Sequence, residues 1–96
     1  MTMKFEDSAK AMLSDDYKER FKAEYIQTKT RYEKLKAFNT KIEAAFGSKC
    51  NPDGKDFGLK EPNHDCPSDL LREQQRIMGE YLHILELRAV FEKIEL

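Results

Sequence analysis

Apolar residues recur at helical spacing in three stretches of this chain, and the breaks between them carry residues that end or begin helices. Near the start, Phe5, Ala9, Met12 and Leu13 share one face, which predicts a short amphipathic helix over about residues 3–13. Ser14, Asp15 and Asp16 follow. Each side chain accepts hydrogen bonds from free backbone N–H groups, and carboxylates suit the positive end of a helix dipole. Glu19 stands at capping-box distance from Asp16. A second helix is therefore expected from about residue 15.

From Asp16 to Phe46 there is neither proline nor glycine. Phe21, Tyr25, Thr28, Tyr32, Leu35, Asn39, Ile42 and Phe46 alternate in steps of four and three, a heptad pattern held for almost four repeats. This predicts a helix over about residues 15–46, roughly 46 Å long. Gly47 is placed to end it, because glycine accepts the left-handed C-cap conformation. Residues 47–67 hold all three prolines and three of the four glycines, so they read as a loop. A last helix is expected over about residues 68–95. Leu70, Ile77, Ile84 and Phe91 recur every seven residues on it, beside Leu71, Met78 and Leu85, with Leu82, Ala89 and Leu96 on the flank. Gly79 is assigned to its polar side.

The expected fold class is all-α: a short N-terminal helix, then an antiparallel hairpin of two long helices, in a single helical domain over 1–96. Two helices cannot cover so broad an apolar face. A small chain without a disulfide or metal framework makes up the shortfall by oligomerising, so a homo-oligomeric bundle is expected, with the first helix docking on a neighbouring subunit.

Composition narrows the function classes. The 96 residues carry 17 basic and 18 acidic side chains, a net charge of −1. A general DNA or RNA binder normally has a basic excess, so nucleic acid is not an expected partner. No apolar run approaches the roughly 20 residues a bilayer requires, so no membrane association is expected. Residues 1–7 lack the apolar core of a signal peptide, which suggests a cytoplasmic location. There is no P-loop, no dinucleotide glycine signature, no HExxH and no GxSxG, so neither an enzyme nor a cofactor is expected. His83 falls on the polar face beside Glu80 and Glu86, with no nucleophile in view.

Three groups of residues carry candidate chemistry. Cys50, His64 and Cys66 in the loop suit zinc, with Asp65 or Asp56 as a fourth ligand. They equally suit a Cys50–Cys66 disulfide or two ordinary thiols, and no metal site is assigned. Polar residues interrupt both apolar seams: Thr28 and Asn39 in the first, Gln74, Tyr81 and Arg88 in the second. In an antiparallel hairpin Asn39 falls near Gln74 and Gln75, a buried amide pair that fixes register. Arg88 falls near Glu24 and Thr28, where it makes an ion pair or anchors an anion through its planar fork. Lys22, Lys29 and Lys36 repeat at seven residues beside Tyr25 and Tyr32. From Ser14 to Phe46 eight basic residues face six acidic ones, the one mildly basic stretch of the chain. Tyrosines beside lysines can stack on a base while the ammonium groups meet phosphate. A solvated flank with paired charges, as in Lys29 and Glu33, is the other reading. The candidate ligand-binding residues are Tyr25, Lys29, Tyr32, Lys36 and Arg88.

The segment Cys66-Pro-Ser-Asp-Leu-Leu-Arg-Glu-Gln-Gln-Arg-Ile-Met-Gly-Glu-Tyr-Leu-His-Ile-Leu-Glu-Leu-Arg-Ala-Val-Phe-Glu-Lys-Ile resembles the ending of a family of small phage proteins of unknown function, from crAss-like phages and temperate phages of Firmicutes. Asp16-Tyr-Lys-Glu-Arg-Phe-Lys-Ala-Glu-Tyr, continuing to Arg31-Tyr-Glu-Lys-Leu-Lys, resembles that family's first long helix. The two stretches cover roughly half of the chain. The resemblance implies a phage-encoded accessory protein. In plan, a short helix before two long ones, the chain is also similar to viral sponge proteins for cyclic oligonucleotide signals, which enclose ligand in oligomers. On that analogy the expected function is counter-defence: a small nucleotide signal held at a subunit interface without turnover. A protein-binding inhibitor of a host defence protein, and a structural or assembly protein of the particle, are the alternatives.

Overall fold

The computed structural model describes residues 3–96. It contains three helices, α1 (Phe5–Ala11), α2 (Tyr17–Lys49) and α3 (Ser68–Glu92), and no strand among the described residues. The molecule measures 56 × 25 × 24 Å.

Local chemistry explains most of the boundaries. Asp16 caps α2, its carboxylate accepting the Lys18 N–H at 2.9 Å. The turn before it is tied by the Asp16 N–H donating to Ser14 Oγ and by Arg20 donating to the Ser14 carbonyl at 2.7 Å. Gly47 does not end the helix; α2 runs on to Lys49. The cause is Ser48, which is buried. Its hydroxyl donates to Asp56 and accepts the Phe57 N–H, so the loop folds back on the final turn and holds it helical. The left-handed conformations fall instead to Gly54 and Gly58, inside the loop. α3 stops at Glu92, short of 95. Lys93 takes a left-handed conformation and the Ile94 N–H reaches back to the Ala89 carbonyl at 2.9 Å, a Schellman-type ending with Ile94 buried beneath it.

α1 and α3 both lie on α2 and not on each other. α1 is short and packs on α2 of its own chain. Ser8, nearly inaccessible, accepts a hydrogen bond from Gln27, and Lys34 lies over the Phe5 ring. On another side of α2, Phe21 and Tyr25 form the core with Leu82, Leu85, Ala89 and Ile94. Partners descend on α3 as they ascend on α2. Tyr17 meets Glu92, Tyr25 meets Glu86, and Asn39 meets Gln75 and the Leu71 carbonyl, so α3 runs back along α2.

The seam does not use the most regular apolar row of α3. Leu82, Leu85 and Ala89 are buried in it. Leu70, Ile77, Ile84 and Phe91 are 58, 52, 52 and 85% exposed. Each residue turns the helix by about 100°, so a row and its flank cannot both face one partner helix. Gly79 also differs from expectation. It faces α2, where a Cβ would lie 3.2 Å from the Tyr32 ring.

Candidate functional site

Tyr25, Lys29 and Tyr32 stand on successive turns of α2, four and three residues apart, on one side of the helix. Tyr25 is buried in the core, and its hydroxyl donates to Glu86 of α3 at 2.6 Å. Burial, and then the Glu86 hydrogen bond, push its phenol up to about 12. Lys29 lies with its ammonium 5.8 Å from the centre of the Tyr25 ring, within cation–π range. Tyr32 is half-buried against Gly79. These three line a cavity of about 220 Å³ whose other walls are Glu33, Gly79, Leu82 and Glu86. A second cavity of about 170 Å³ adjoins it through Tyr25 and Lys29 and brings in Lys22.

The five candidate residues do not all meet. Tyr25, Lys29 and Tyr32 share one cavity. Lys36 is exposed one heptad beyond Lys29 and lines neither cavity. Arg88 stands apart. It sits two residues after Glu86, about 200° around the helix. Its guanidinium donates to Tyr17 at 2.6 Å and to Glu92 at 3.0 Å, and lies 5.2 Å from the centre of the Phe21 ring. The expected neighbour Glu24 instead accepts from Tyr81 and from Thr28. The hydrogen bond from Tyr17, and then that from Arg88, hold the Glu92 carboxyl below its usual range.

The cavity is walled by two phenol rings, of which Tyr32 is the more open, with one ammonium and the carboxylates of Glu33 and Glu86. It contains no nucleophile paired with a base. Two of its walls escaped the sequence reading. Glu86 is invisible there because only the α2–α3 register brings it to Tyr25. Gly79 did leave a signal: a glycine inside a helix costs about 1 kcal/mol against alanine, and that cost is commonly offset by a close approach.

Other candidate groups fall elsewhere. Asn39, only 2% exposed, donates through Nδ2 to Gln75 and to the Leu71 carbonyl, while its Oδ1 is buried without a partner. It borders a cavity of about 290 Å³ at the loop end, with Phe46, Glu61 and Arg72 among the walls. Gln74 lies in a separate groove with Met78 and Tyr81. In the loop, Cys50 and Cys66 are both free thiols. His64 Nδ1 is 2.7 Å from the Cys66 carbonyl, and its ring stands edge-on to Phe38. Among the described residues no three His, Cys, Asp or Glu side chains gather as a metal-binding group. No helix among them is long and apolar enough to cross a membrane. His83 is exposed on α3.

A family model described as Sequestin matches residues 15–91, which take in all of α2 and nearly all of α3. No curated protein and no solved structure matches.

Proposed function

The chain belongs to the Sequestin family, and from that premise we propose that it is a binding protein that sequesters a cyclic nucleotide signal without turning it over. The family name suggests binding rather than catalysis. The observation that carries the finer reading is the convergence of Tyr25, Lys29 and Tyr32 on one cavity beside Gly79. The glycine lets the Tyr32 ring lie close on α3, which sets that phenol in the cavity wall. Lys29, with Lys22 in the adjoining cavity and Lys36 one heptad along, offers cations to a phosphate. Glu86 accepts from the donors of a base.

One copy supplies few cations and two carboxylates at the cavity, so the reading includes a homo-oligomer in which a neighbouring copy closes over the ligand. Arg88, held at the far end by Tyr17 and Glu92, acts through that assembly rather than against the ligand of its own chain. In this reading the hairpin of α2 and α3 is the repeating unit. The protein is a phage counter-defence factor acting in the cytoplasm of the infected cell.

Calorimetry of the full chain against cyclic dinucleotides, cyclic trinucleotides and cyclic ADP-ribose isomers tests the proposal. One member of the panel is expected to bind and to be recovered chemically unchanged. At a hundredfold excess over Kd it would stabilise the fold by about 2.7 kcal/mol. Lys29→Ala and Tyr32→Ala are each expected to weaken that binding at least tenfold. No heat and no thermal shift across the panel overturns the reading.

A further inference from the structure

The nucleotide reading leaves the cavity at the loop end unused. Its volume of about 290 Å³ is at the low end for ligand pockets and suits one small molecule. Three parts of the chain wall it. α2 supplies Asn39, Glu43 and Phe46, α3 supplies Ser68 and Arg72, and the loop supplies Glu61. Asn39, Glu43 and Phe46 stand four and three residues apart, and Ser68 and Arg72 four apart, so each set shares one helix face. Carboxylates therefore stand on the α2 and loop walls, and a guanidinium on the α3 wall.

These opposite charges line one cavity without neutralising each other. Among the described residues the side chains of Arg72 and Glu43 make no ion pair and no hydrogen bond. Glu61 Oε2 lies 3.4 Å from His64 Nε2, and the His64 ring is itself held by the Cys66 carbonyl and by Phe38. α3 begins at Ser68 behind Pro67, without a side-chain cap, so its first N–H groups add partial positive charge to the Arg72 wall. Asn39 is 2% exposed, and its Oδ1 is buried with no hydrogen-bond partner. A buried acceptor left unpaired costs free energy that a donor in the cavity would recover.

We propose that this cavity binds a free α-amino acid with an apolar side chain. The ligand carboxylate meets Arg72 and the start of α3, since a guanidinium grips a carboxylate by two parallel bonds. The ligand ammonium meets Glu43 and Glu61 and supplies the N–H that Asn39 Oδ1 lacks. The ligand side chain lies on the exposed Phe46 ring. A simple anion would meet the two carboxylates, and a simple cation would meet Arg72, so a dipolar ligand alone suits both walls. The inference does not rest on the nucleotide reading, whose residues Tyr25, Lys29 and Tyr32 lie further along α2 from the loop.

Calorimetry of the full chain with L-phenylalanine and with L-leucine tests the proposal. At least one should bind below about 10 mM, a range in which a Kd on the order of 1 mM still registers. Analogues with one charge removed should bind at least tenfold more weakly: phenethylamine and hydrocinnamate against phenylalanine, isoamylamine and isocaproate against leucine. Arg72→Gln and Glu43→Gln both alter exposed side chains, so helix content should be kept while amino-acid binding falls at least tenfold. The analogue series needs no variant, so it decides the matter even where a substitution disturbs the fold. No binding of either amino acid overturns the inference. An amine or acid analogue that binds as tightly as its amino acid overturns it too. Binding indifferent to both substitutions does the same, because it places the ligand elsewhere.

Discussion

Ile84 and Leu85 are adjacent in the chain and opposite in surroundings: Leu85 is 2% exposed in the seam with α2, Ile84 is 52% exposed on the free side of α3. Both belong to apolar rows at helical spacing. The difference teaches that periodicity finds an apolar row but does not say which row meets the chain's own partner helix. In α3 the less regular row, Leu82, Leu85 and Ala89, was taken by Phe21 and Tyr25. The heptad row was left exposed.

Stability separates the two rows most sharply. Leu85→Ala leaves a void in a close-packed seam and is expected to cost about 2–5 kcal/mol. Ile84→Ala should stay within about 0.5 kcal/mol in urea melts at chain concentrations too low for assembly. Equal costs for both would erase the distinction.

Asn39 tests how the seam holds register. It is a buried amide among apolar neighbours, with Gln75 and the Leu71 carbonyl as acceptors. Asn39→Ala removes the donor and strands the Gln75 oxygen, at an expected cost of about 1–3 kcal/mol by denaturant unfolding. Asn39→Leu loses the same bonds but fills the space. It should recover part of the stability while broadening the amide spectrum as register loosens.

Gly79→Ala sharpens the comparison at the candidate site. The added methyl gains about 1 kcal/mol of helix propensity but presses on the Tyr32 ring at 3.2 Å. Stability is expected to change by less than about 1 kcal/mol, because Tyr32 is half exposed and its ring can shift. Nucleotide affinity should fall at least tenfold, read by calorimetry, because the shifted ring fills the cavity. A variant that binds as the wild type does would place the ligand elsewhere.

The smallest effect concerns alkaline pH. Tyr25 has its phenol pushed from 10 to about 12 in the folded chain, first by burial and then by Glu86. A group whose folded value lies above its unfolded one stabilises fully below the unfolded value and loses that contribution as pH rises through the folded one. Thermal midpoints should therefore decline between about pH 10 and 12. Tyr25→Phe should make that decline shallower without removing it, since Tyr17 and Tyr81 are shifted the same way.

Much of the architecture was legible in the chain itself. An unbroken run from Asp16 to Phe46, a capping aspartate before it and a glycine- and proline-rich stretch after it declare a long helix and a loop, because these are local matters of backbone bonding. The Asn39–Gln75 contact was legible too, since a heptad register allows few partners for one buried amide. The helix end at Lys49 was not. It depends on Ser48 being buried under a loop nine residues further on.

The candidate site divides the same way. Tyr25, Lys29 and Tyr32 share a face by the pitch of one helix, so spacing alone grouped them. Their surroundings came from α3: Glu86 on the Tyr25 hydroxyl and Gly79 against Tyr32. Hairpin register put Arg88 near Glu24 and Thr28 as an anion anchor, whereas contacts with Tyr17, Phe21 and Glu92 hold it away. Sequence by itself determined which residues share a helix face, because helical pitch is a property of the backbone. Only the tertiary structure decided which face met which, because that choice belongs to the packing of two helices and is set by all their contacts together.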